Sequence, residues 1–140
     1  MRKILIFTLL LVATACSDQS VAPTQVPQQV QAFVKQNFPN KNISYAERDL
    51  EWFWYKYDVV LTDGTMISFD TDNVWDKIEC GMNPVPAALV PAPVAAYVKT
   101  NFPAVAITKV DKEHYGYEVD LANGLELKFN KQGALMEMDD

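Results

Sequence analysis

Apolar residues recur at helical spacing twice along the chain. Val30, Phe33, Val34 and Phe38 form one stripe, and Val94, Tyr97, Val98 and Phe102 form a second. Each stripe predicts a short amphipathic helix. Pro27 and Pro91 open the two helices, where a missing proline N–H has no intrahelical partner to lose. Pro39 and Pro103 stop them. The likeness extends to the letters. VPQQVQAFVKQNFP starts at Val26 and VPAPVAAYVKTNFP at Val90, an offset of 64. YDVVLTDGTMISFD starts at Tyr57 and YEVDLANGLELKFN at Tyr117, an offset of 60. One unit is therefore written twice, and its first copy carries four extra residues between helix and Tyr57.

After each helix the period changes to two. Ile43 to Arg48 and Ile107 to Lys112 read as extended, and three further strands follow in each copy. Asp63-Gly64 and Asn123-Gly124 predict two-residue hairpin turns with positive φ at both central positions. Asp70-Thr71-Asp72-Asn73 and Asn130-Lys131-Gln132-Gly133 predict a second turn in each unit. Cys80 to Pro84 breaks the chain between copies, and Pro86 to Leu89 reads as a short extra helix. A unit of this size buries little alone, so the two share a core. The expected fold is α+β: two tandem α-β-β-β-β repeats forming one antiparallel sheet, with the helices packed on one face.

Alternation also sorts the aromatic run EWFWYKY at Glu51–Tyr57. Phe53, Tyr55, Tyr57, Val59 and Leu61 share one parity, and their counterparts Tyr115, Tyr117, Val119 and Leu121 stay apolar. That set is assigned to the core, with Thr65, Ile67, Phe69, Val74 and Ile78 from the next two strands. Trp52, Trp54, Lys56, Asp58 and Val60 then point to the opposite, open face, where Met66 and Ser68 join them. Trp75 is assigned there too, by its parity with Lys77 and Glu79. The same face of the second copy carries His114, Glu118, Asp120, Glu126, Lys128 and Glu137. Exposed Trp and Met beside a charged field mark a contact surface, since rigid rings supply area at low entropic cost. The expected binding face is Trp52, Trp54, Lys56, Asp58, Met66 and Trp75. Packing of the tryptophans under the linker or tether, or at the sheet edge, is the competing explanation.

The N-terminus changes the picture of where this occurs. Arg2 and Lys3 precede a 12-residue apolar run, Ile4 to Ala15, too short to span a bilayer as a mature helix and flanked as an export signal is. Small residues then meet Cys16, in the manner of a bacterial lipobox. Residues 1–15 are thus expected to be a lipoprotein signal peptide and Cys16 the lipidated residue, with 16–25 a flexible tether. Repeat one follows over 26–80 and repeat two over 81–140. The formal charge is −6, and loss of Arg2 and Lys3 would make it −8. Such a chain repels phosphate backbones, which excludes nucleic acid as an expected partner, and membrane attachment is expected only through the lipid. With Cys16 acylated, Cys80 is the sole remaining thiol and has no partner for a disulfide.

Candidate chemistry is sparse. His114 is the single histidine, so no Ser-His-Asp or Cys-His set can be assembled, and zinc lacks ligands. Asp70, Asp72, Asn73, Asp76 and Glu79 partly resemble an oxygen-ligand loop but lack its glycine and its twelfth-position glutamate, and a hairpin turn explains them. No catalytic residue, metal or cofactor is expected.

The NFP helix ends, the YEVDLANGLELKFNKQG segment and the terminal MDD resemble the PepSY-like family of small exported proteins, over about residues 26–140. The resemblance implies a fold similar to the secreted β-lactamase inhibitor protein, with one sheet face left open for a partner. It implies inhibitory or chaperone-like binding by analogy. The expected function is that of a non-enzymatic envelope lipoprotein, in the periplasm or at the outer membrane. Its open face would bind an envelope or exported protein, such as a peptidase. The alternative is a glycan or small-ligand carrier stacking on the same rings.

Overall fold

The computed structural model describes residues 18–140; the expected signal peptide and Cys16 lie outside them. The strands are β1 (Asp18–Val21), β2 (Ile43–Glu51), β3 (Trp54–Leu61), β4 (Met66–Phe69), β5 (Trp75–Glu79), β6 (Ile107–Glu113), β7 (Gly116–Leu121), β8 (Glu126–Asn130) and β9 (Leu135–Asp139). They form one antiparallel sheet in chain order. Helices α1 (Gln28–Asn37) and α2 (Ala92–Asn101) precede β2 and β6. This is the expected α+β architecture.

Each helix ends as its NFP sequence dictates. The Phe38 N–H still donates to the Val34 carbonyl at 2.8 Å, and Phe102 repeats the bond to Val98 at 2.7 Å. The side-chain amides of Asn37 and Asn101 donate to the Phe33 and Tyr97 carbonyls at 3.0 and 2.9 Å. The phenylalanine bonds extend each helical ladder by one residue, and the asparagine amides fasten the last turn.

One row of the sheet makes the core legible. Val21, Ala46, Val59, Ile67, Ile78, Val110, Val119, Leu127 and Met138 face one another across all nine strands. The helices pack on this side. Phe33 of α1 meets Phe69 edge-on at 5.4 Å between ring centroids, and Tyr97 of α2 meets Phe129 in the same way at 5.4 Å. Both Phe69 and Phe129 are fully buried, and truncating either to alanine would cost about 3–5 kcal/mol. The repeats join through β5 and β6. Ile78 faces Val110 on the core side, while Lys77 faces Asp111 and Glu79 faces Lys109 on the other, so opposite charges meet across the seam. The Val85 N–H extends the junction to the Ile107 carbonyl at 2.8 Å.

Four expectations change. Residues 18–25 are not a flexible spacer: Asp18–Val21 pairs with β2, and Pro23–Gln25 forms a 3₁₀ turn. The pairing rests on backbone bonds at a sheet edge, which a polar tetrapeptide does not announce. The Arg48 guanidinium reinforces it by donating to the Gln19 side-chain carbonyl at 3.0 and 3.1 Å. The Asp63-Gly64 and Asn123-Gly124 turns carry positive φ only at glycine. The Gly64 and Gly124 N–H groups close back onto the Leu61 and Leu121 carbonyls, which makes three-residue turns ending in a bulge. Phe53 is not core: with Trp52 it forms the β2–β3 turn, and both are 86% exposed. Finally, a bulge opposite Ser68 and Phe69 puts Trp75, rather than Val74, on the core side. Trp75 faces buried Phe69 and packs against the core cluster, whereas Val74 is exposed.

Candidate functional site

The side of the sheet away from the helices is uncovered by any other described element. Its rows can be read strand by strand. One runs Ser20, Glu47, Asp58, Ser68, Lys77, Asp111, Glu118, Lys128, Glu137. A second runs Tyr45, Val60, Met66, Glu79, Lys109, Asp120, Glu126, Asp139. A third, at the hairpin end of repeat one, runs Asp18, Asp49, Lys56. Together these rows place eleven carboxylates against four lysines on one surface.

The predicted site residues separate into three groups. Lys56, Asp58, Met66 and Trp54 lie on this face, as alternation requires. Lys56 holds Glu51 at 2.6 Å, and this hydrogen bond, opposed by slight burial and helped by the carboxylate's charge, raises the ammonium's pKa. Met66 is half exposed and Trp54 is 68% exposed. Trp52 is on neither face; it occupies the turn apex with φ +59°, a left-handed conformation rare for an aromatic residue. Trp75 is on the helix side, a correction to the parity assignment. A bulge inserts one residue and exchanges the faces of the strand positions beyond it. The Lys112 ammonium lies 3.7 Å from the Trp75 ring centroid and donates to the Trp75 carbonyl at 2.9 Å. Burial pulls the Lys112 pKa down, against the raising influence of Asp70 and Asp76.

Sequence reasoning missed Tyr45, yet it belongs to the apolar patch of the face. It sits beside Val60, which sits beside Met66, and the Tyr45 hydroxyl donates to Glu47 at 2.5 Å. The alternation Tyr45, Glu47, Asp49, Glu51 against Ala46, Arg48, Leu50 held the signal. In repeat two the corresponding patch is Lys109, Asp120 and Glu126. Carboxylate oxygens of Glu118, Asp120 and Glu126 lie within 4.8 Å of one another. Lys109 sits among them, 3.6 Å from Glu118 and 3.7 Å from Asp120. Burial pulls the Lys109 pKa down, but Asp120 and Glu118 outweigh it and hold it above its ordinary value. Burial, then Glu118 and Asp120, raise that of Glu126. Asp76 is also raised, by burial and then by Asp70.

The oxygen-rich turn of repeat one is spent on its own backbone. The Asp70 carboxylate accepts the Asp72 and Val74 N–H groups at 2.9 and 3.0 Å, as Asn130 does for Gln132 and Ala134. Cys80 and His114 lie at opposite ends of the sheet, one just past the end of β5 and the other in the β6–β7 turn. Burial holds the Cys80 thiol above its ordinary pKa, which disfavours the thiolate.

Comparison with known proteins agrees with this geometry. A family described as "Putative beta-lactamase-inhibitor-like, PepSY-like" matches residues 12–53 and 55–137. A periplasmic protein of the DUF2874 family from Bacteroides vulgatus has a similar structure, with a TM-score of 0.82 and 35% identity, covering 90% of this chain and 99% of its own. A Bacteroides thetaiotaomicron protein described as a "putative calcium-regulated periplasmic protein" has a TM-score of 0.80 at 33% identity, covering 88% of this chain and 97% of its own. Another periplasmic protein of unknown function from Bacteroides vulgatus has a TM-score of 0.81 at 26% identity, covering 88% and 99%. No curated protein matches. The periplasmic descriptions of these relatives support export of this chain.

Proposed function

Because the chain belongs to the beta-lactamase-inhibitor-like, PepSY-like family, we propose that it is a non-enzymatic binding module of the cell envelope, anchored by a lipid on Cys16. Its open sheet face takes a protein or peptide partner. The observation that carries this reading is the asymmetry of that face: an apolar patch of Tyr45, Val60 and Met66 beside a field of carboxylates. The patch supplies desolvation energy, and the surrounding charge orients the partner and rejects acidic ones. An exported enzyme with a basic rim around an apolar knob fits this chemistry. Buried Cys80 and the remote His114 support a role without covalent catalysis. A bound calcium ion has less support, because Lys109 already supplies the cation among Glu118, Asp120 and Glu126.

The second repeat provides the test. Replacing Tyr45, Val60 and Met66 by their counterparts, as Tyr45→Lys, Val60→Asp and Met66→Glu, erases the patch with residues this sheet already accommodates. The triple variant is expected to keep its Tm within about 4 °C, as exposed substitutions do. It is expected to lose partners that the unaltered protein retains from envelope extract, as read by quantitative mass spectrometry. Equal retention would exclude the patch as the contact. Retention of glycans instead of protein would favour the carrier alternative.

A further inference from the structure

The β2–β3 hairpin exceeds its twin in length and in kind. Leu50 to Tyr55, LEWFWY, stands where repeat two has only His114 and Tyr115. Each strand therefore runs two residues further, which lifts the turn by roughly 7 Å. The extension carries apolar side chains on both sheet faces and at its apex, with Glu51 its one charged residue. Leu50 and Tyr55 face the helix side, Trp54 faces the other, and Trp52 and Phe53 cap the apex. Leu50, Trp52, Phe53 and Trp54 are all strongly exposed. A partner protein docked on one sheet face would cover one side of this tip. Apolar surface all around an apex suits a medium that surrounds it.

The chain's N-terminal end identifies that medium. Strand β1 runs antiparallel to β2, and its first residue, Asp18, faces Asp49. Asp49 is three residues from Trp52, within about 10 Å along the strand. Cys16 is two residues before Asp18, and two residues span at most about 7 Å. A lipid on Cys16 thus leaves the domain at the end of the sheet from which the aromatic tip projects. Behind the tip, Lys56 is paired with Glu51, and Arg48 lies 4.3 Å over the Tyr55 ring. Charged and polar groups behind interfacial aromatic rings match the layered polarity of a bilayer surface.

We propose that Trp52, Phe53 and Trp54 enter the interface of the same bilayer that holds the Cys16 lipid, as a second, non-covalent contact. This rests on the lipid-anchor reading above. Two attachments at one end of the sheet stand the domain upright and leave the open face accessible from the side.

The test uses the full mature chain, purified with its native N-terminus and reconstituted into phosphatidylcholine vesicles with brominated acyl chains. Trp52→Asn combined with Trp54→Thr is the comparison, since Asn tolerates the left-handed turn and Thr suits a strand. Trp75 remains in both as an internal reference. Two of three tryptophans should report from the bilayer, so emission should fall on the order of twofold for the unaltered chain and little for the variant. Flotation with vesicles and the mass of the Cys16 peptide read the anchor separately. A chain that carries the lipid and floats, yet is quenched no more than the variant, overturns the tip contact and leaves the anchor intact. Absence of acyl mass on Cys16 removes both.

Discussion

The two β-hairpins that follow the helices began from one plan and now differ most where the sheet ends. In repeat two, β6 and β7 turn at His114-Tyr115 and β8 follows them to the end, with Asn130 opposite Gly116. In repeat one, β4 leaves at Phe69 opposite Tyr57, β1 stops opposite Asp49, and β2 and β3 continue alone through Leu50–Tyr55 and Glu51–Trp54. A ribbon of two strands is marginal without a packed neighbour. Here it is held by Glu51–Lys56 pairing and by Arg48 over Tyr55. The lesson is that a duplicated fold holds its core constant and diverges at turns and on the uncovered face.

The largest contrast should appear at the paired positions Gly116 and Lys56. Gly116 has φ +150°, and a methyl group there would collide with the Phe129 carbonyl. Gly116→Ala is expected to cost about 3 kcal/mol or more, combining strain with a broken ladder. Lys56 has no strand beyond it to collide with, and its ion pair is exposed, so Lys56→Ala should cost about 1 kcal/mol or less. Urea denaturation of both variants decides; equal losses would break the comparison.

A middle-sized contrast is expected between Lys112 and its counterpart Arg48. Lys112 is half buried between the repeats, with its ammonium over Trp75 and a bond to the Trp75 carbonyl. Lys112→Ala should lose about 1–2 kcal/mol, and Trp75 fluorescence should shift as the ring is uncovered. Arg48→Ala, at the outer edge, should lose less and should chiefly loosen β1, measurable as faster amide exchange at Ser20 and Val21.

The smallest effect concerns Asp76, which aligns with Met136. Its folded-state pKa is raised, so the folded protein binds the proton more tightly than the unfolded chain. Ionisation therefore works against folding: stability from this group is intact below its ordinary value of 3.8 and falls as pH rises through the higher folded value. Asp76→Asn should raise Tm on the order of 2 °C at pH 7, with no gain at pH 3. An equal gain at both pH values would point to packing instead of charge.

Much of this is legible in the letters. The helices, their proline stops, the antiparallel hairpins and the core positions Val59, Ile67, Ile78 and Val119 follow from period and repetition, because burial on one face enforces alternation. Lys56, Asp58 and Met66 fall on the open face for the same reason. Trp75 escapes such reading, because a bulge depends on two strands together and leaves no mark in either alone. The β1 strand escapes it too, because an edge strand owes its pairing to a neighbour's unused backbone groups. Trp52 and Phe53 depart from their assigned faces because alternation stops at a turn, and nothing in EWFWYKY says which residues turn.

The sequence by itself determined the duplicated unit, the α+β class and the acidity of the chain, since these depend on local period, repetition and composition. Tertiary structure alone decided which tryptophan is core, which forms a tip, and that the chain's entry point lies beside that tip. Those are relations between segments distant along the chain, fixed by strand register and by where neighbouring strands end.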